Sequence, residues 1–111
     1  MRELPHPPRD EIELAAVMQA LADPVRLELV RLMDSDAAAP CAALAESVGV
    51  HKSTASHHFR TLRESGVTTT IVDGRIRFVR LRREALQERF PGLLDAVLRA
   101  AHANSPVSSR P

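Results

Sequence analysis

The sequence predicts a mainly α-helical domain that carries one β-hairpin. Apolar residues recur at helical spacing through most of the 111 residues. One β-branched segment is followed by an Asp-Gly pair and then by an alternating segment, a combination typical of a hairpin. We expect one domain at residues 10–103, an N-terminal arm at 1–9 that contains three prolines, and a disordered Ser- and Pro-rich tail at 104–111.

Start and stop signals divide the helical part of the chain. The first helix is predicted from Asp10 to about Ala22. Asp23 and Pro24 then indicate a second helix that ends at Met33, because Asp caps a helix N-terminus and Pro suits its first position. The later elements are a loop at 35–39, helices at 41–47 and 52–65, strands at 67–72 and 75–81 around a turn at 73–74, and helices at 84–90 and 91–103.

The third and fourth helices have the residues of a helix-turn-helix. Ala45 lies where two crossing helices must approach closely, and Gly49 suits the left-handed conformation that the turn requires. The small side chain of Ala55 lets the second helix of the pair pack close to the first. An Arg-rich hairpin follows directly and would form a wing, so the order of elements predicts a winged helix-turn-helix.

Basic residues concentrate in the middle of the chain. The formal net charge is only +1, but residues 51–83 contain eight basic and two acidic residues, against seven basic and twelve acidic residues elsewhere. This distribution favours one anion-binding face on an otherwise neutral body. An ordinary solvated surface would show the same asymmetry, so charge alone leaves both interpretations open.

Three motifs resemble the ArsR family of winged-helix regulators. They are "ALADPVRLELVRLM" at 20–33, "LAESVGVHKSTASHHFRTLRESGV" at 44–67 and "VDGRIRFVRL" at 72–81. The resemblance covers about residues 12–101 and implies a homodimer joined by the first and last helices. Apolar stripes on those helices give the predicted dimer interface: Ile12, Leu14, Val17, Leu93, Leu94, Val97, Leu98 and Ala101.

The resemblance, together with the geometry of the major groove, predicts the DNA-binding residues. A helix fits the major groove and reads base edges with short polar side chains of its N-terminal turns, while Arg and Lys contact phosphates. The side chains expected at base edges are Ser53, Thr54, Ser56 and His57. The side chains expected at phosphates are Lys52, Arg60, Arg63, Arg75 and Arg77, with Arg75 also able to enter a minor groove.

Several of these residues have a structural alternative. For Ser53, the alternative to DNA contact is a role as a helix cap only. His58 lies nearer the seam between the helices and is better explained as a structural histidine than as a base contact. For Arg82 and Arg83 we expect a solvated helix start rather than DNA contact.

The sequence predicts neither a metal site nor a cofactor. The ArsR family is known for metal sensing, but Cys41 is followed by Ala42 and Ala43 where a second thiolate would be needed. The last helix offers only Asp95 and His102, and a tetrahedral site takes about four ligands. We expect Cys41 to be a small buried residue.

These features favour a sequence-specific DNA-binding regulator that binds an inverted-repeat operator as a homodimer. Repression is favoured because the chain has no spare domain to contact polymerase, and an unknown small-molecule effector remains open. The alternative is a winged-helix protein-interaction module, which would expose apolar residues on the fourth helix. No catalytic constellation supports an enzyme, and the absence of a signal core or an apolar membrane span predicts a cytoplasmic protein.

Overall fold

The computed structural model describes residues 1–104, which contain six α-helices and an antiparallel sheet, so the predicted fold class is confirmed. The part of the predicted tail at 105–111 lies outside the described residues. The elements are β1 (Arg2–Glu3), α1 (Leu14–Leu21), α2 (Pro24–Leu32), β2 (Ala39–Pro40), α3 (Cys41–Val48), α4 (Lys52–Glu64), β3 (Thr68–Asp73), β4 (Ile76–Leu81), α5 (Arg83–Arg89) and α6 (Leu93–Ala103). No helix in residues 1–104 is long and apolar enough to cross a bilayer.

The hairpin forms as predicted, but its turn lies one residue later. β3 and β4 pair in register from Thr68 opposite Leu81 to Asp73 opposite Ile76, which leaves residues 74–75 as the turn. Asp73 therefore belongs to the strand. Gly74 has φ +62°, and no residue other than glycine has a positive φ in the described chain. A positive φ at the first central position alone is typical of a type II′ turn, whereas the predicted turn required two such positions.

Two short strands extend the sheet to the order β1-β3-β4-β2. β2 pairs with β4 through Ala39, a residue predicted to lie in a loop. β1 belongs to the N-terminal arm and pairs with the outer edge of β3. The Nη1 of Arg82 donates to the carbonyl oxygen of Pro7 at 2.7 Å. The expectation that Arg82 only starts a solvated helix is therefore wrong, because its side chain holds the arm against the sheet.

The first helix begins at Leu14 rather than at Asp10. Residues 9–11 form a 3-10 turn, and the backbone at Ile12 and Glu13 is extended. The side chain of Ile12 packs on the backbone of Gly66, where an added Cβ would lie 2.7 Å from Ile12 Cγ1. Arg89 donates to the carbonyl oxygen of Ile12 through Nε and Nη2, at 3.2 and 2.5 Å. These contacts hold the segment extended and prevent an earlier helix start.

The hydrophobic core lies among the helices and the face of the β-hairpin that they cover. Four residues predicted for the dimer interface, Ile12, Val17, Leu94 and Leu98, have side chains buried in this core. That part of the interface prediction is wrong, because each terminal segment turns one side of its apolar stripe inward. The other four predicted residues keep exposed surface: Leu14, Leu93, Val97 and Ala101.

Candidate nucleic-acid interface

α3 and α4 form the predicted helix-turn-helix. Ala45 and Ala55 are buried where the two helices pack together. Gly49 ends α3 with φ +70° and ψ +29°, and its N–H donates to the carbonyl oxygens of Ala45 and Glu46. A left-handed residue at this position ends one helix and lets the chain start the next within three residues. The turn therefore fixes the direction in which α4 leaves the domain.

His51 caps the N-terminus of α4. Its Nδ1 accepts from the backbone N–H of Ser53 at 3.3 Å and lies 3.0 Å from Ser53 Oγ. The ring nitrogen thus accepts from one of the free N–H groups at the start of α4, with the Ser53 hydroxyl beside it. The cap residue is therefore His51 and not Ser53, which is exposed in the first turn of α4.

The outer face of α4 is polar along its length. The exposed residues include Thr54, Ser56 and His57, while Phe59 and Leu62 on the opposite face are buried. A protein-docking helix would expose large apolar side chains, and this face of α4 carries none. The predicted DNA-binding residues that are exposed on α4 are Lys52, Ser53, Thr54, Ser56, His57 and Arg60.

The wing carries two further predicted residues, Arg75 and Arg77, both exposed. Arg77 is in register with Val72, next to the buried pair Thr70 and Val79. Arg63 departs from the prediction in part, because it is only half-exposed and its Nε is buried without a hydrogen-bond partner among the described residues. The structure thus places the Nε of Arg63 below the surface formed by α4 and the wing.

His58 is buried, in line with the structural role expected for it. Its Nδ1 lies 3.1 Å from Nη1 of Arg26, and Arg26 also donates through Nε to the carbonyl oxygen of Ala20 at 2.6 Å. A guanidinium only donates, so Nδ1 accepts and the ring is neutral. Burial lowers the pKa of His58, and the charges of Arg26 and His57 act in the same direction, against the attraction of Asp23.

Cys41 is half-buried at the start of α3 rather than fully buried as expected. Burial raises the pKa of its thiol to about 11, although the positive charges of Arg77 and Arg63 oppose the shift. The thiol therefore stays protonated near neutral pH, and a protonated thiol is a poor nucleophile and a poor metal ligand.

The other groups considered as metal ligands lie apart. His102 Nε2 is 2.8 Å from Oδ2 of Asp34, whose other oxygen, Oδ1, accepts from Arg83, while Asp95 is exposed. Arg83 starts α5 as predicted, and its partly exposed side chain forms an ion pair with Asp34. Within residues 1–104, no three His, Cys, Asp or Glu side chains come together in a group that could hold a metal ion.

Comparison with known proteins agrees with this geometry. A helix-turn-helix domain family matches residues 21–71. The uncharacterized HTH-type transcriptional regulator YceK of Bacillus subtilis (strain 168) is 39% identical over 84 residues, which cover 75% of this chain and 84% of YceK. The chain belongs to the ArsR-like winged helix-turn-helix transcriptional regulators.

Solved structures similar to this ArsR-like regulator cover most of it. The transcriptional repressor BigR from Xylella fastidiosa has a TM-score of 0.61 and 28% identity, over 78% of this chain and 84% of BigR. A possible transcriptional regulator for arsenical resistance has a TM-score of 0.59 and 32% identity, over 79% and 80%. A homodimeric winged helix-turn-helix DNA-binding domain from Mycobacterium bovis shares the fold, with a TM-score of 0.65 and 21% identity over 88% and 86%. This ArsR-like chain is accordingly a DNA-binding regulator and not an enzyme.

Proposed function

We propose that this regulator is a homodimeric repressor that binds an inverted-repeat operator through α4 and the wing. The observation that carries the proposal is the exposed polar face of α4, which continues into two exposed arginines at the wing, Arg75 and Arg77. A helix of this composition next to a cationic hairpin suits one major groove and its flanking phosphates. BigR, at 28% identity, is itself a repressor, which supports repression over activation.

Base reading is assigned to the first two turns of α4. Thr54, Ser56 and His57 are exposed there, as is Ser53 beside the His51 cap. Lys52 and Arg60 flank this patch on the same helix and suit phosphates on either side of the groove. Arg75 at the turn of the hairpin suits the next phosphates or the adjacent minor groove.

A second copy of the chain is assigned to the apolar faces of α1 and α6. Leu14 and Met18 are four residues apart on α1 and are 49% and 52% exposed, although both are large and apolar. Leu93 and Val97 are half-exposed on α6. Neighbouring side chains at a spacing of four make a continuous stripe, and such stripes mark interfaces. The M. bovis domain of the same fold is a homodimer, which supports this assignment.

Selection of bound duplexes from a random library tests the proposal. We expect an inverted repeat whose half-site centres lie about one helical turn apart, because a two-fold dimer presents two α4 helices to one side of the DNA. Replacing Thr54 with Ala should relax the preference at one position of each half-site and leave the spacing unchanged. Enrichment of a single unrepeated site would contradict the dimeric operator, and no enrichment would contradict sequence-specific binding.

A further inference from the structure

A cleft of about 770 Å³ separates α3 and α4 from the wing. Five cationic side chains line it, against one carboxylate, that of Glu46. Within residues 1–104, none of the five forms an ion pair. The five are Lys52, Arg60, Arg63, Arg75 and Arg77.

The floor of the cleft is apolar as well as cationic. Ala45, Val50 and Phe59 line it together with Ile76 of the wing, which is 54% exposed. DNA phosphates need cations but no apolar floor, because a phosphate gains nothing from contact with hydrocarbon. The combination fits an amphipathic molecule with one charged end and an apolar body.

Two buried polar groups at the cleft have no partner among the described residues. The Thr70 side chain is 1% exposed and lines the cleft, yet its hydroxyl makes no hydrogen bond. The Nε of Arg63 is buried and unpaired in the same lining. Burial of a polar group without a partner is costly, so such groups are rare unless a bound molecule satisfies them.

The geometry points to a ligand site in this cleft for a small organic anion, with a carboxylate, sulfonate or phosphate held by Arg63 and Arg77 and an apolar or aromatic body against Phe59. The Thr70 hydroxyl donates to the ligand from the floor. This inference rests on the proposed function in one respect: the ligand shares Lys52, Arg60, Arg75 and Arg77 with the DNA surface. Bound ligand and bound DNA therefore exclude each other, and the anion acts as an inducer from within one subunit.

Fluorescence titration of the full chain with anilinonaphthalene sulfonate tests the site, since this probe joins a sulfonate to an aromatic body. The neutral analogue N-phenylnaphthylamine is the ligand control. We expect Arg63→Gln to lower the affinity for the probe about tenfold or more, the loss typical of one charged hydrogen bond. We expect Thr70→Val to weaken it severalfold, while Thr68→Val, which removes another buried unpaired hydroxyl away from the cleft, binds as the parent does.

Displacement of the probe by a short random-sequence duplex, with direct measurement of DNA binding, completes the test. We expect duplex to displace the probe and Thr70→Val to keep its DNA affinity. Equal probe affinity in the parent, Arg63→Gln and Thr70→Val would overturn the cleft, as would equally tight binding of the neutral analogue. Either result together with intact DNA binding would leave the proposed function standing. If the probe binds and the substitutions weaken its binding as expected, but no duplex binds, the proposed function alone is contradicted.

Discussion

His57 and His58 are neighbours in the sequence but have opposite environments. Successive residues on a helix point about 100° apart, so one ring faces solvent while the other packs inward. The sequence could predict this division from the helical period. It could not predict the partner of His58, because Arg26 lies 32 residues earlier and meets the ring only when α2 packs on α4.

The buried, neutral state of His58 predicts a loss of stability in mild acid. Its pKa is lowered in the folded chain, mainly by burial, so the unfolded chain binds the proton more readily. The free energy of unfolding should therefore fall as the pH drops from about 7 through the ordinary histidine pKa of about 6.5. Urea unfolding at a series of pH values should show a flatter pH profile for His58→Asn. The control His57→Asn should keep the parental profile; a parental profile in His58→Asn would contradict the assignment.

The protonated thiol of Cys41 predicts slow chemistry at this residue. A rise in pKa from 9.0 to about 11 lowers the thiolate fraction at neutral pH roughly a hundredfold. Alkylation by iodoacetamide should be slow in the folded chain, fast in urea, and faster as the pH approaches 11.

Zinc, cadmium, nickel or arsenite should not release the protein from DNA, and Cys41→Ser should bind DNA normally. A metal that releases the parent but not Cys41→Ser would make Cys41 a sensor ligand.

Helix and strand boundaries follow local signals except where distant contacts override them. The predicted start of α2 is confirmed because Asp23 accepts from the backbone N–H of Val25 and Arg26, at 2.8 and 3.1 Å. The predicted start of α1 was wrong because Ile12 is held by Gly66 and Arg89, far along the chain. The cleft was missed for the same reason, since its floor joins α3, α4 and the sheet. Such long-range contacts leave no periodic mark in a sequence.

Substitution of Gly66 tests the contact that sets the start of α1. Gly66→Ala should destabilise the fold by about 2–4 kcal/mol, because it adds strain at φ +91° and a clash with Ile12. Gly49→Ala is the matched control, with a similar φ of +70° but open space around the added Cβ, and should cost only about 1 kcal/mol. Thermal or urea unfolding measures both. Equal losses of unfolding free energy in the two variants would show that the contact with Ile12 does not contribute to the cost of Gly66→Ala.

At the scale of the whole molecule, polar and apolar surfaces are assigned to different partners. The polar surface of α4 and the wing is assigned to DNA, and the apolar stripes of α1 and α6 to a second chain. The sequence predicted both stripes but not how they divide between core and surface. That division depends on packing: α1 contacts α2 and α4, and α6 contacts α2 and α5.

A charge placed in the stripe of α1 should separate the dimer. We expect light scattering of the parent to give twice the chain mass of 12.2 kDa, and Met18→Glu to give the chain mass itself. A carboxylate at a buried apolar interface lacks a partner and is strongly unfavourable. Ile76→Glu is the control, because this wing residue is equally exposed and apolar but lies outside the stripe. A dimeric Met18→Glu would move the interface away from α1.

The salt dependence of DNA affinity tests most directly whether α4 and the wing bind DNA. Fluorescence anisotropy with a short duplex should show the affinity of the parent falling steeply with salt, as counterions leave the phosphates. Arg60→Ala and Arg75→Ala should each bind more weakly and reduce the slope by about one, while Arg99→Ala, an exposed residue of α6, should match the parent. Parental affinity and slope in both Arg60→Ala and Arg75→Ala would contradict this interface.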